Sequence, residues 1–451
     1  AAHWSLCLLA DVPMSHVFKP LMPLDEAWQR LASALQEMPP PSDGNESLPT
    51  ELALDRVLAQ DIVSTVDVPP HDNSAMDGYA VRWADLQGQG SGESGGERGG
   101  APSLPQGQRI AAGQSGQSLA PGQCARIFTG APIPPGADAV VMQEHTEPGE
   151  GGHVVFTQPV RAGQNIRRRG EDIAAGQTVL WAGTRLTPAA LGVAASVGLA
   201  QLPVRARPRV GILTTGDELV MPGQPLPPGA IYNSNRHTLM ALGRAAGGEV
   251  LDLGVVPDQL DATQAALRRA ALECDLVITS GGVSVGEEDH LRQAVSAEGG
   301  LDFWALAIKP GKPFVFGWLN RPDGSRALYM GLPGNPSASF VTFLLLARPV
   351  LGWLAGEGWH LPQALPLAAG FEWPKADKRR EFLRARLGPD GRVQIHPHQG
   401  SGVLSSAAWA DGLVDVAPGQ TVVPGDIVRF LPLAALCAPP AAMVQAPGGE
   451  R

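Results

Sequence analysis

Three observations predict a multidomain α/β plus β chain. Strand and helix patterns alternate regularly from about residue 208 to 351, helical periodicity disappears beyond about 356, and helical segments flank an earlier β-rich stretch. The expected parts are a central α/β domain with a parallel sheet over 207–355 and a small β-domain over 61–161. The latter is inserted in a discontinuous, helix-containing linking domain made from 20–60 and 162–206, and a C-terminal β-barrel or sandwich follows over 356–436. At 451 residues the chain exceeds one ordinary core, and typical domain sizes imply about three or four units.

Composition narrows the class. Apolar residues make up 44% and charged residues 17%, enough material for several cores. A net charge of −10 argues against general attraction to nucleic acid or an anionic membrane, so an anionic ligand requires a local cationic pocket. No apolar run reads as a membrane span. Cys7, Cys124, Cys274 and Cys437 are far apart and without metal-ligand spacing, which reads as reduced thiols of a cytoplasmic protein. Residues 1–13 precede Met14, are apolar without a basic start, and read as an upstream extension rather than a secretory signal.

The elements follow in order. Leu24, Trp28, Leu31 and Leu35 recur at helical spacing behind an acidic first turn, and a second short pattern lies near Leu52 to Ala59. Residues 71–82 form a polar loop leading into a short strand. The Gly-, Gln-, Ser- and Pro-dominated stretch 87–122 lacks the material of a core and reads as containing a surface loop, including a Gly/Ser-rich segment near 88–101 to which no role is given. Val- and Ile-containing runs at 125–132, 137–144 and 153–156 supply the β-domain. Residues 186–198 read as a helix with Pro near its start and Gly at its close.

The α/β alternation is densest around D-L-V-I-T-S-G-G-V-S-V-G-E-E-D, residues 275–289. It reads as a buried strand, a glycine loop and a helix entry. In open α/β sheets the ligand crevice lies beyond the carboxyl ends of the strands, so this loop is expected to form one wall of a site. Four loops set a carboxylate beside glycine, at Asp77, Asp172, Asp217 with Glu218, and Asp289. Opposing them, I-K-P-G-K-P places Lys309 and Lys312 in a rigid loop. G-L-P-G-N-P-S-A-S-F sets Gly334, Asn335 and Pro336 against a helix start, where free N–H groups and hydroxyls can hold an anion. Carboxylates and an oxyanion in one confined site require basic compensation or a divalent cation, and Mg²⁺ is the economical inference.

The combination S-A-M-D-G-Y-A, F-T-G-A-P-I-P-P-G-A-D-A-V-V, G-E-D-I, T-G-D-E-L, Y-N-S-N, T-S-G-G-V-S-V-G-E-E-D, I-K-P-G-K-P, G-L-P-G-N-P-S-A-S and H-Q-G-S resembles the MoeA-type molybdopterin molybdenumtransferases, related to the E domain of gephyrin. The resemblance runs from about Leu21 to Phe430. It implies four domains, including a molybdopterin-binding-like α/β domain and a C-terminal β-barrel, and an elongated homodimer. Its site lies between the α/β domain of one subunit and the β-domain of the other. The implied reaction inserts molybdate into adenylylated molybdopterin, releasing AMP and molybdenum cofactor. By motif, Lys309, Lys312, Arg384 and Ser401 resemble the molybdate-binding set, a pattern suited to charge-assisted hydrogen bonds. Glu218 and Asp289 match acidic positions near the adenylate and its Mg²⁺. Asp77, Thr129 and Asp172 would complete the site from the other half, and Gly281, Gly282, Ser284, Gly334, Asn335 and Pro336 should contact phosphate or nucleotide. The resemblance also implies transient contact with the adenylyltransferase and with molybdoenzyme maturation proteins.

Two other readings stay open at this point. An enzyme that adenylylates molybdopterin shares the α/β fold, and a gephyrin-like scaffold would bind partner peptides. The sequence does not separate molybdate from tungstate.

Overall fold

The computed structural model describes residues 21–38, 44–87, 101–282 and 290–437. The expectations placed on residues 1–13, Cys7, 88–100, Ser284 and Asp289 lie outside the described residues.

The central sheet has six strands in the order Glu249–Val256, Arg209–Thr215, Leu276–Ser280, Arg326–Leu332, Pro313–Asn320, Gly299–Ala305. Leu276–Ser280 is buried at every position, as a strand covered on both faces must be. Alternate residues feed two cores. Val210, Ile212, Leu276, Ile278 and Met330 face one, with Leu239 and Leu242 of the helix Ser234–Ala245. Leu213, Val277 and Tyr329 face the other, with Leu267 of Leu260–Glu273 and Leu291 of His290–Glu298.

The first four strands are mutually parallel, but Pro313–Asn320 runs antiparallel to both neighbours. The expected parallel sheet is thus a mixed one, parallel over four strands and antiparallel at Pro313–Asn320. The connection to Arg326–Leu332 is a tight turn in which Arg321 N–H donates to Ser325 O. So short a link closes a hairpin and cannot make a parallel crossover.

A second correction concerns the first helix. The sequence places Leu24–Gln36 among the linking segments, yet Leu24, Trp28, Leu31 and Leu35 pack into the α/β core, where Trp28 Nε1–H donates to Leu345 O at 2.8 Å. Amphipathicity specifies that a face is buried without specifying its partner. Leu58, Ile62, Leu180, Leu186, Ala194 and Leu202 form a separate core that joins the stretches 44–63 and 173–205. The pattern near Leu52 is a 3₁₀ turn at Thr50–Leu52, followed by bridges of Val57 to Arg185 and Leu58 to Val204. The helix Pro188–Ser196 is capped as its sequence implies: Thr187 Oγ1 accepts Ala190 N–H, Pro188 sits in the first turn and Gly198 has φ +85°.

Between these stretches lies a six-stranded sheet in the order Ala139–Met142, Gly78–Val81, Cys124–Ile127, Ser103–Ile110, His153–Phe156, Thr146–Pro148. Ser103–Ile110 falls within the stretch read as loop-forming. Leu104 and Ile110, each 1% exposed, anchor it in two cores while its glutamines face outward. Low complexity concealed a strand that needs only its inward positions to be apolar.

The C-terminal sheet orders Arg380–Leu387, Gly412–Val416, Ile427–Pro432 and Leu365–Ala368, with Val393–Ile395 beside Arg380–Leu387 and a bridge from Ala369 to Val393. At its other margin Ile308–Lys309 pairs in parallel with Arg380 and Glu381. The α/β domain thereby contributes its lysine loop to the edge of the C-terminal sheet. The continuous helix from Pro336 to Leu354, π-wound over Phe343–Ala347, is apolar and long enough by composition to cross a bilayer, but most of it is buried in the core.

Candidate active site

The site is assembled at the carboxyl ends of the parallel strands. Gly281 and Gly282 have φ of +90° and +63°, conformations that favour glycine, and a Cβ on Gly282 would stand 2.6 Å from Leu291 Cδ2. Gly281 N–H donates to Leu332 O, and the backbone of Gly281 lies 3.7 Å from where a Cβ of Gly334 would be. Asn235 completes the junction. Its Nδ2 donates to Ser280 Oγ and to Gly334 O, both at 2.7 Å. Asn233, fully buried two residues earlier, caps the same helix by accepting Arg236 N–H and donates to Thr214 Oγ1 at 2.8 Å. The Y-N-S-N motif therefore ties three strand ends together, a role sequence reasoning did not assign. Its signal was two amides bracketing a helix start.

Asn335 occupies the N-cap position of the helix beginning at Pro336 but makes no side-chain cap. Instead Ser401 O accepts Ser337 N–H at 2.9 Å and Ala338 N–H at 3.3 Å, and Ser337 Oγ donates to Val403 O. The amides and hydroxyl expected to be free for an anion are thus occupied by the C-terminal domain. A distant loop satisfies these orphan donors, which the local sequence did not reveal.

Arg384 lies beneath that loop with no exposed surface. Its Nε, Nη1 and Nη2 donate to Ser406 Oγ, Phe382 O and Gly400 O at 3.0, 3.1 and 3.2 Å, and burial pushes the guanidinium down to about 10. Arg384, expected among the anion's ligands, is here bonded at both ends of the segment 400–406, which contains Ser401.

The lysine loop meets the same helix. A Cβ on Gly311, φ +118°, would lie 2.4 Å from Thr342 Oγ1, so only glycine lets the loop settle there. Lys312 is exposed. Lys309 opens on a cleft of about 590 Å³ lined also by residues 373–378, with its Nζ 2.8 Å from Glu381 Oε1 and 3.5 Å from Asp377 Oδ2. Arg379 holds the Asp377 carboxyl far below the usual carboxylate range.

Glu218 is exposed, its carboxylate turned back so that Oε2 lies 2.4 Å from where a Cβ of Gly216 would be. Among the described residues no three His, Cys, Asp or Glu side chains gather into a metal cluster. One exposed carboxylate suits Mg²⁺, which keeps waters and takes further oxygens from phosphates.

Asp77 and Thr129 meet on the inserted β-domain, where Asp77 Oδ1 accepts both Thr129 N–H and Thr129 Oγ1–H at 2.7 Å. Those bonds, with the Arg126 charge, hold the Asp77 carboxyl below its ordinary 3.8. Asp172 is exposed on the neighbouring loop, which Val68 bridges at Ile173 and Arg168 joins through a 2.6 Å bond to Asp72. Among the described residues, no hydrogen bond or ion pair within the chain joins Asp77, Thr129 or Asp172 to the Glu218 and Lys309 loops.

Three family descriptions match successive stretches: the MoeA N-terminal region (domain I and II) over residues 22–198, a probable molybdopterin binding domain over 211–353, and the MoeA C-terminal region (domain IV) over 366–433. A molybdopterin molybdenumtransferase of Haemophilus influenzae is 39% identical over 415 residues, covering 89% of this chain and 98% of that protein. The chain belongs to the MoeA family. Another MoeA-family relative, the molybdopterin molybdenumtransferase of Bacillus subtilis, is 37% identical over 89% of this chain and 91% of its own length. The crystal structure of the molybdopterin biosynthesis MoeA protein from Pyrococcus horikoshii superposes with a TM-score of 0.76 at 29% identity, covering 92% of this chain and all of that one.

Proposed function

We propose that this chain inserts molybdate into adenylylated molybdopterin, with release of AMP and molybdenum cofactor. The observation carrying the reading is the parallel pairing of Ile308–Lys309 with Arg380 and Glu381. It sets a cationic loop of the α/β domain against the C-terminal domain, beside the helix start that Ser401 caps.

In this reading Lys309, Lys312 and the Ser401 hydroxyl hold the oxyanion through charge-assisted hydrogen bonds, and Arg384 fixes the loop that carries Ser401. The Gly281–Gly282 turn and Gly334–Asn335, clamped by Asn235, present backbone groups to the nucleotide and its phosphates, with Pro336 in the same wall. Glu218 and Asp289 supply carboxylates for Mg²⁺, which would neutralise phosphate charge as the adenylate is cleaved. Asp77, Thr129 and Asp172 enter the cleft of a second protomer in a homodimer. Their lack of contact with the Lys309 side within one chain is consistent with that arrangement. The cytoplasm is the compartment that reduced, buried Cys124 and Cys274 favour.

The test incubates purified protein with adenylylated molybdopterin, Mg²⁺ and molybdate or tungstate, and measures AMP. Oxyanion-dependent AMP release is expected. ATP-dependent adenylylation of metal-free pterin in its place would overturn the reading in favour of the adenylyltransferase.

A further inference from the structure

The inserted β-domain carries a pair of like charges that neither its core nor the proposed reaction uses. One face of its sheet is apolar through Cys124, Val141 and Phe156, and Tyr79 packs against it, edge-on to Phe156 with ring centroids 6.4 Å apart. In register with Tyr79 on the next strand stands Arg126, and in register with Arg126 on the strand beyond stands Arg109. Like charges directly opposite on neighbouring strands are unfavourable. The Phe128 ring takes both guanidinium groups, each 4.6 Å from its centroid, which eases the repulsion without neutralising either charge.

The two arginines differ in what else they hold. Arg126 Nη1 donates to Gly78 O at 2.8 Å and its Nη2 to Gln143 Oε1, while Gln143 N–H donates to Asp77 O. That guanidinium is committed to the backbone around Asp77. Arg109 is exposed, and among the described residues it takes no acid as partner and donates no hydrogen bond. Its N–H donors remain available on a side chain that stacks on Phe128. We propose that Arg109 is a substrate-binding residue, which grips a phosphate of the adenylylated pterin and is presented to the second protomer's cleft together with Asp77 and Thr129. Thr129 follows Phe128 directly, so the carboxylate and the two guanidinium groups share one surface. By strand order Arg126 stands between Arg109 and the strand that Asp77 precedes, so an anion at Arg109 meets a guanidinium before that carboxylate. The planar fork suits a phosphate held through two parallel bonds, whereas the ammonium groups of Lys309 and Lys312 serve the oxyanion. This inference rests on the proposed transfer reaction and on its assignment of Asp77 to the neighbouring cleft.

The experiment measures AMP release by full-length protein against adenylylated molybdopterin at saturating molybdate. Arg109→Met keeps an apolar stem on Phe128 and removes the charge. KM for the adenylylated pterin should rise about tenfold, the loss of one charge-assisted bond, with kcat, KM for molybdate and the unfolding midpoint unmoved. Arg109→Lys, which keeps the charge without the fork, should recover part of the loss. AMP added as an inhibitor locates the phosphate. An inhibition constant that rises with KM assigns the adenylate phosphate, one that stays put assigns the phosphate on the pterin side, and both support the proposal. Mixed dimers of Arg109→Met and Lys309→Ala chains, purified through two different tags, test the presentation across the dimer. One site then carries both lesions and the other neither, so the wild-type KM should return at about half the wild-type rate per dimer. A wild-type KM in Arg109→Met, or mixed dimers without low-KM activity, overturns the proposal and leaves the reaction standing if the wild type still releases AMP in an oxyanion-dependent way. A wild type that releases no AMP overturns the reaction and this inference with it.

Discussion

Replacing Arg384 by Met separates the positioning of the site from the stability of the fold. The guanidinium is fully buried and donates to three acceptors, Ser406 Oγ, Phe382 O and Gly400 O. Its fall from the ordinary guanidinium range to about 10 corresponds to a burial cost of roughly 3 kcal/mol at neutral pH. A base whose folded value is depressed destabilises the fold while it is charged. That cost is constant below about 10 and fades only as pH rises toward the ordinary guanidinium range, so it does not vary across an ordinary assay range. Charge-assisted bonds at roughly 1.5–3 kcal/mol each outweigh the cost by about 1–6 kcal/mol. Methionine fills much of the same volume and needs no partner, so the net loss centres on about 3 kcal/mol, within the roughly 5–15 kcal/mol that holds a domain folded. Thermal unfolding followed by circular dichroism should show a cooperative transition shifted down by several degrees. AMP release should fall at least about tenfold, because the Gly400 carbonyl loses its anchor next to the Ser401 cap. Wild-type AMP release from Arg384→Met would refute the reasoning, and so would a chain already unfolded at room temperature.

Three further outcomes are expected. Asn235→Ala removes both bonds joining Ser280 to Gly334, and kcat/KM for adenylylated molybdopterin should drop about tenfold with little change in the unfolding midpoint. The Asp77 carboxyl, held below 3.8, contributes stability that is present above that value and lost as pH falls through its lowered folded value. Carboxyl NMR should therefore find a depressed midpoint that moves back up in Thr129→Val. Burial pushes the Cys124 and Cys274 thiols up to about 12 and 11, so peptide mapping after alkylation at pH 8 should find both unmodified in the native protein and modified after unfolding.

Much of the site was legible because its chemistry is local. The glycines at 281 and 282 marked a turn with positive φ, and the paired lysines around Pro310 and Gly311 marked a rigid cationic loop. The order of the motifs along the chain points to the family by itself. The neighbours of those groups were not legible. Ser401 O on the amides of Ser337 and Ala338, and Asp377 beside Lys309, join stretches far apart in the chain through contacts that leave no periodic trace.

The sequence by itself determined where strands and helices run through the α/β region, which of their faces turn inward, and which loops carry charge. Those properties depend on the repeat of apolar residues and on the dihedral freedom of Gly and Pro, both written locally. Tertiary structure alone decided that Leu24–Gln36 packs on the α/β core, that Pro313–Asn320 reverses direction, that Ser103–Ile110 is a core strand, and that Arg384 lies buried behind its loop. Apolar burial is non-directional: it requires that a face be covered but leaves the choice of cover to the packing of the whole chain.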